Sequence, residues 1–470
     1  MKKYTQGGTY DALGYHSARI ATLEGRSPSS GSGAMHYEYD RERLINQSRE
    51  FSRDNAIYKG IIERMVAYVI GNGFKLEIIS KSKPQVKKIE SLWNDYWKRP
   101  EVRGILSGAR VERQTLREIV TAGDTGCLKI KSGLIQPVEA EQIKGPNRIA
   151  DGIEKTDTGK PTGYYVSPYS RSGRVNTRES RKIKPDDFIF ITDPDRPSSI
   201  RSVPALQASF PMLHRINDVC DSEAIAWQML SKIAVSVTRD NAGALGYTES
   251  EVDAKDTYGN RIVELDNALM FHGAPGDEIK GVSHDLPGKD FPASLTMFLR
   301  LLGLPIGLPL EVILLDWTKS NYSQSRAVLE QAFQMFQSWQ SLMELSFLNP
   351  ILEWKAREWS AAGLITNQEY QISWIKPKFP WIDQLKEAQA QALKLDRGFE
   401  TLSGVAKGLQ TDRDKLLKVR EQEIRNAISI SEQIEKDTGK EVPYQLFCGL
   451  DVAKSEPVNE VNNDPKSNIN

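Results

Sequence analysis

The sequence predicts a multidomain α+β protein in which a small acidic β module interrupts two helical segments. Three observations carry that prediction. The chain has 470 residues, more than one domain at roughly 100–200 residues each. Runs with apolar residues at helical spacing alternate with short β-branched runs bounded by Gly, Asp and Asn. Charge is unevenly placed: 62 basic and 62 acidic side chains cancel over the whole chain, yet residues 236–290 hold eleven acids against five bases, net −6.

The elements follow in order. Residues 1–39, rich in Gly, Ser and Tyr with SPSSGSG at 27–33, read as a flexible arm. In DNAIYKGIIERMVAYVIGNGF, Ile57, Ile61, Met65 and Tyr68 recur at helical spacing. Asp54 or Asn55 can cap the start, and Gly71, Asn72 and Gly73 can stop the helix in the left-handed conformation. A helix from Val86 to Lys98 carries Trp93 and Trp97 on one face. RQTLREIVTAGDTG is a helix ending at Gly123, followed by the strands CLKIKS and LIQPVEA. Residues 150–192 are β-rich through GYYVSPY and DFIFITD. Between them, from Lys160 to Lys184, seven bases face one acid, a solvated loop or a surface for phosphate or an acidic partner.

From Val203 to Lys232 the pattern is helical, with Pro204 in an N-terminal turn and Pro211 at a kink or at the true start. The strand-like pieces IAVSVTRD, RIVELDNALMF and EIKGVSH form the acidic module. A helix returns at FPASLTMFLRLLGL, with Leu295, Phe298, Leu299 and Leu302 on one face. Gly303, Pro305, Gly307 and Pro309 then break regular structure. After DWTKSNYSQSRA a long helix begins, its stripe of Leu329, Phe333, Phe336, Trp339, Met343 and Phe347 read as core packing until Pro350 interrupts it. A last helical region covers 383–428 and restarts at Thr411. Residues 429–470 end in a polar run read as a disordered tail.

Composition narrows the chemistry. Zero net charge excludes capture of nucleic acid by bulk positive charge, though not by a local patch. Cys127, Cys220 and Cys448 are the three cysteines; far apart, they outline no disulfide framework and no zinc site, and they fit a reducing compartment. No stretch reaches the ~20 apolar residues of a membrane span. The sequence has no G-x-x-x-x-G-K-[ST] loop, no G-x-G-x-x-G after a strand, no G-x-S-x-G elbow and no H-E-x-x-H. Asp186, Asp187, Asp193 and Asp195 are the best metal candidates, since hard cations take oxygen ligands. In KPDDFIFITDPDRPSS, however, turn aspartates are expected for backbone reasons. From the residues alone, the alternatives are a structural subunit, a metal-dependent DNA-processing nuclease using these four aspartates, and an adaptor binding an acidic partner through Arg171, Arg174, Arg178 and Arg181.

Six segments in order point further. These are SREFSRDNAIYKGIIERMVAYVIGNGFKLE, EVRGILSGARVERQTLREIVTAGDTGCLKI, GIEKTDTGKPTGYYVS, DPDRPSSIRSVPALQASFPMLHRINDVCDSEAIAW, GLPLEVILLDWTKSNYSQSRAVLEQAF and the block from WIKPKFPWIDQLKEAQ to LLKVREQE. Together, over about residues 40–425, they resemble the lambda-type family of phage portal proteins. Ser202 stands where the family's "R-G-V-P" turn has Gly, and Gln324 replaces the second Ser of "D-x-x-x-x-N-Y-S-S-x-R". Asp316, Asn321, Tyr322, Ser323, Ser325 and Arg326 carry that last signature.

The resemblance implies an α+β portal fold with wing, two-helix stem, small β-rich clip and helical crown, assembling as a ring, usually a dodecamer. After the arm, 40–202 would be wing, 203–235 a stem helix and 236–290 the clip. Residues 291–304 would be the second stem helix, 305–322 the tunnel loop, 323–382 the long wing helix and its return, 383–428 the crown and 429–470 the tail. It implies no enzyme activity, no cofactor and no membrane. The implied partners are other copies of the chain, the terminase large subunit, scaffold and major capsid protein, head-tail adaptor proteins, and double-stranded DNA passing non-specifically. The implied location is the portal vertex of the virion, after assembly in the host bacterial cytoplasm. Asp316, Trp317, Lys319, Asn321, Tyr322, Ser323, Ser325 and Arg326 would make up the end of the tunnel loop and the family signature that runs from it into the long helix. There Lys319 and Arg326 could touch phosphate, or Arg326 could pair with Asp316 in a structural role.

Overall fold

The computed structural model describes residues 33–80, 82–146, 151–237, 262–265, 268–272, 291–316, 322–366, 370–377, 384–408, 411, 413–440 and 442–448. The chain divides into two compact units. The larger holds residues 33–73 and 87–366 of the described chain; the smaller holds 74–86 and the described residues from 370 on.

The larger unit opens with helices α1 (Gly33–Asp54) and α2 (Ala56–Val69). Helix α1 begins inside the stretch expected to be a flexible arm to residue 39. Asn55 caps α2, its side chain accepting from the Tyr58 backbone N–H at 2.8 Å. Gly71 and Gly73 take positive φ just beyond the helix. The buried face of α2 is Tyr58, Ile61, Ile62, Met65, Val66 and Val69. Ile57 and Tyr68, expected on that face, are only half-buried. Tyr58 and Ser48 share a buried hydrogen bond of 2.6 Å across the two helices. Strand β1 (Lys75–Ile79) and helix α3 (Lys83–Trp97) follow, and the division between the units falls inside α3. Trp93 and Trp97 stack at 4.5 Å, as the shared face predicts.

Helix α4 (Gly108–Ala122) leads into an antiparallel sheet ordered β3-β2-β7, formed by β2 (Asp124–Lys129), β3 (Ile135–Val138) and, later in the chain, β7 (Phe188–Thr192). A second antiparallel sheet contains β4 (Ile153–Lys155), β5 (Pro161–Val166) and β6 (Arg181–Ile183). Val138, Ile143, Ile153, Tyr164 and Phe188 form one buried cluster shared by the two sheets. Helix α5 (Phe210–Lys232) is shorter than the stretch 203–235 expected for it: it starts one residue before Pro211, which suits a first helical turn because its missing N–H has no partner there in any case, and it gives way to a strand at Ile233.

Strands β8 (Ile233–Val237), β9 (Ile262–Leu265) and β10 (Ala268–His272) make a small sheet with β10 central, parallel to β8 and antiparallel to β9. The expected strand EIKGVSH lies outside the described residues. Helix α6 (Phe291–Gly303) ends where Gly303 packs against the following turn. A Cβ there would sit 1.9 Å from the Leu308 carbonyl oxygen, so only glycine fits. The short α7 (Leu310–Leu314) ends at Leu315, the one non-glycine residue with positive φ among the described residues.

Helix α8 (Tyr322–Met343) corrects one expectation. Pro350 does not interrupt it. A π turn over Glu344–Leu348 joins α8 to α9 (Asn349–Ala361), and the chain stays helical throughout. Proline removes one N–H and crowds the carbonyl four residues back; a widened turn just before it accommodates both defects. Phe336, Met343 and Phe347 are buried as the apolar stripe predicts.

In the smaller unit β1 pairs antiparallel with β11 (Gln371–Ile375), Lys75 opposite Ile375. Helices α10 (Gln384–Asp396), α11 (Leu402–Gly408) and α12 (Arg413–Thr438) complete it. Helix α12 runs past the tail boundary expected at 429. The 3₁₀ turn Tyr444–Cys448 packs along it, and Ser431 donates to the Val442 carbonyl.

Candidate functional site

Two motifs singled out in the sequence meet in space. The Gly123-Asp124 turn ends α4 and starts β2, while Arg201-Ser202-Val203-Pro204 precedes α5. Gly123 has φ 89°, and a Cβ on it would lie 2.5 Å from the backbone of Ser202 and Val203. Glycine therefore permits both the turn and the close approach. Asp124 is fully buried. Arg201 grips it through both oxygens, Nε to Oδ2 at 2.6 Å and Nη2 to Oδ1 at 2.7 Å. Arg41 from α1 adds Nη2 to Oδ1 at 2.8 Å, and the Ser202 N–H donates to Oδ2 at 3.2 Å.

The remaining donors of Arg201 reach the carbonyls of Ile143 (2.8 Å), Asp151 (2.6 Å) and Ala140 (3.0 Å). Arg41 Nε donates to the Ser202 carbonyl at 3.0 Å. Burial and then the neighbouring Arg201 pull Arg41 down to about 10, against the attraction of Asp124; it stays charged at neutral pH. This is a buried charge cluster with its hydrogen bonds satisfied, and it ties α1, strand β2 and the approach to α5 together. Ser202 fits where the family pattern has Gly because its hydroxyl reaches Thr192 Oγ1 at 2.9 Å. Beside the cluster, Arg49 bonds Glu141 at 3.0 Å and also Glu118. Burial disfavours its charge, but the two carboxylates outweigh burial and hold its pKa above the ordinary arginine value.

Beyond this hub, α5 emerges from the core. Phe210, Leu213 and Ile216 are buried, whereas Ile225 and Trp227 are 51% and 52% exposed. On α6, Leu299 and Leu302 are buried while Met297 is 61% exposed. Ser209 Oγ donates to the Leu302 carbonyl at 3.0 Å, fixing the base of α5 against α6. Ile225 and Trp227 on α5 and Met297 on α6 thus leave large apolar side chains exposed on two neighbouring helices.

Of the expected tunnel-loop residues, Asp316 is exposed and Trp317, Lys319 and Asn321 lie outside the described residues. Tyr322 and Ser323 open α8. Ser325 is buried, and exposed Arg326 pairs with Glu330 one turn on, Nε to Oε1 at 3.1 Å.

The four candidate metal aspartates are not brought together. Asp186 and Asp187 precede β7; Asp193 and Asp195 follow it. The five-residue strand between them spans roughly 17 Å at ~3.4 Å per residue. Among the described residues no three His, Cys, Asp or Glu side chains gather to hold a metal. The arginines at 171, 174, 178 and 181 are exposed around β6. No described helix is long and apolar enough to cross a membrane.

The family model described as "Phage portal protein, lambda family" matches residues 19–340. The chain belongs to that family. It is a portal protein, and the Gly-Asp and Arg-Ser-Val-Pro motifs joined at Asp124–Arg201 both lie within the matched region. The match ends at 340, so it does not reach the C-terminal block of the sequence resemblance. Among solved structures, this portal protein is similar to a chain of the "Virion of native gene transfer agent (GTA) particle". That pair shares 14% identity at a TM-score of 0.41 over 84% of this chain and 99% of the other. It is also similar to a chain of the "Neck of empty GTA particle computed with C6 symmetry", at 14% identity and TM-score 0.42 over 84% and 99%. No curated protein matches the chain.

The hub was half-visible in the sequence. Both motifs were recognised, and their opposite charges were the available signal for the pairing. Arg41 carried no signal of its own beside the expected arm boundary.

Proposed function

We propose that this portal protein assembles into a dodecameric ring at one vertex of the capsid, nucleates procapsid assembly and conducts double-stranded DNA during packaging and ejection. Family membership over residues 19–340 carries this reading. In it, α5 and α6 are the stem, the β8–β10 sheet belongs to the clip where the terminase large subunit docks, and α10–α12 form the crown. Residues 305–322 face the channel, and Ser323, Ser325 and Arg326 open the helix behind that loop. Scaffold, major capsid protein and head-tail adaptors are the other partners. The protein acts in the virion after assembly in the host cytoplasm, without catalysis or cofactor.

Two physical features support the reading. Ile225, Trp227 and Met297 leave apolar surface that a neighbouring copy would cover. The net −6 of residues 236–290 suits passage of DNA better than grip, because DNA presents one phosphate charge per ~1.7 Å of its axis and cations there would hold it. The test is the solution mass of the purified full chain by light scattering. The expected result is a large assembly near twelve times the 52.9 kDa chain; a monomer at all concentrations would contradict it.

A further inference from the structure

A cleft of about 680 Å³ opens in the larger unit between α1, α4, the approach to α5, the turn after α6 and α8. Asp40, Asp193 and Asp195 line it, and no Lys, Arg or His does. Asp193 and Asp195 are exposed. The rest of the wall is mostly apolar and includes Met335 and the half-buried indole of Trp339. A guanidinium suits such a wall. It meets carboxylates through a planar fork, stacks on an indole face and carries an apolar stem. The same acids repel phosphate, so the cleft disfavours nucleic acid.

The larger unit presents arginines of this kind at another place. The connection from β5 to β6 turns back on itself over residues 168–176. There the Ser170 N–H donates to the Arg174 carbonyl at 2.8 Å, the Gly173 N–H to the Ser170 carbonyl at 2.9 Å and the Asn176 N–H to the Pro168 carbonyl at 2.8 Å. Ser170 Oγ adds a bond to the Arg174 carbonyl at 2.9 Å. Gly173 supplies the positive φ of 77° that the turn needs. Arg171 and Arg174 stand exposed on this ordered tip. A tip that is ordered beforehand loses little entropy on docking.

No residue of the tip lines the cleft of its own chain. Strand β7 lies between the two features in the chain. The β5–β6 connection comes before its start, and Asp193 and Asp195 follow its end, roughly 17 Å on at ~3.4 Å per residue. Complementary surfaces at two different places on one chain meet between copies, head to tail. Contacts of that type repeat into a ring when the rotation closes.

We propose that the 168–176 tip of one copy docks in the cleft of the next, with Arg171 and Arg174 against Asp193 and Asp195 and an arginine stem along Trp339. The contact rests on the ring assembly proposed above and gives it a direction: each copy offers its tip to one neighbour and its cleft to the other.

The test places a photoreactive p-benzoylphenylalanine at Ser338, an exposed residue on the cleft wall, in the full-length protein. After irradiation, adducts are mapped by peptide mass and gel mobility, and light scattering gives the mass of the same sample. The expected adduct joins position 338 to residues 168–176 at the mobility of two or more chains. Arg171→Glu with Arg174→Glu lowers its yield at least about tenfold, the effect of losing one close charge pair at an interface. Adding Asp193→Arg to that pair restores part of the yield, which damage to the fold would not do. A large assembly without this adduct, with the adduct at single-chain mobility, or with a yield indifferent to charge reversal would overturn the contact and leave the ring standing. No adduct, together with weaker retention of duplex DNA by the Arg171→Glu, Arg174→Glu variant, would overturn it by assigning the tip to nucleic acid. The mass of one chain at all concentrations would overturn the contact and the ring together.

Discussion

Replacing Arg201 with methionine lowers the stability of the portal protein by about 3–5 kcal/mol, the usual cost of breaking a buried ion pair from one side. The loss is large because it is not confined to one bond. Asp124 keeps Arg41 but loses both Arg201 contacts, at 2.6 and 2.7 Å, in a site with no access to water. The carbonyls of Ile143 and Asp151 lose the Arg201 donor at the same time, and that of Ala140 keeps only the Ile143 N–H; each buried polar group left unpaired carries its own penalty. Arg201→Lys recovers only part, because an ammonium cannot span two carboxylate oxygens and three carbonyls with a fixed fork. Denaturant titration followed by tryptophan fluorescence reads the change in midpoint. Arg326→Ala is the matched control: its pair with Glu330 is exposed, so the expected change stays under about 1 kcal/mol. Equal effects of the two substitutions would show that the Asp124 cluster does not hold the fold.

The second large effect concerns assembly. Trp227→Glu combined with Met297→Glu shifts the protein from the large assembly to monomers and small oligomers, while its folding midpoint stays within about 0.5 kcal/mol of the parent. Both side chains are more than half exposed, so a charge there costs the single chain little. At an interface between copies the same charges are desolvated against apolar neighbours, and aromatic anchors of this kind carry a disproportionate share of binding energy. Light scattering on the variant and the parent at equal concentration measures the shift. An unchanged mass would remove these helix faces from the interface.

The sequence showed local structure better than pairing. Helix α2 was legible because Ile61 and Met65 recur at its spacing and Asn55 caps it; the face was misjudged by one position because Ile57 and Tyr58 are both apolar enough to be core, and packing chose Tyr58. The stop at Gly123 followed from backbone chemistry alone, whereas α5, expected from Val203, starts only at Phe210, just before Pro211. Pro350 misled, because a proline breaks a regular turn and gives no hint that a wider π turn can absorb it. The Asp124–Arg201 contact joins residues 77 apart in sequence; only the fold brings them together, although each lay in a recognised motif. The signature Asp316 to Arg326 was legible in the sequence and lies within the matched residues 19–340.

The most direct test of the account is negative-stain electron microscopy of the purified full-length portal protein, with class averages of the end-on views. The account predicts closed rings with rotational symmetry and a central channel wide enough for duplex DNA. Compact particles without a channel, at the mass of one or two chains, would contradict it.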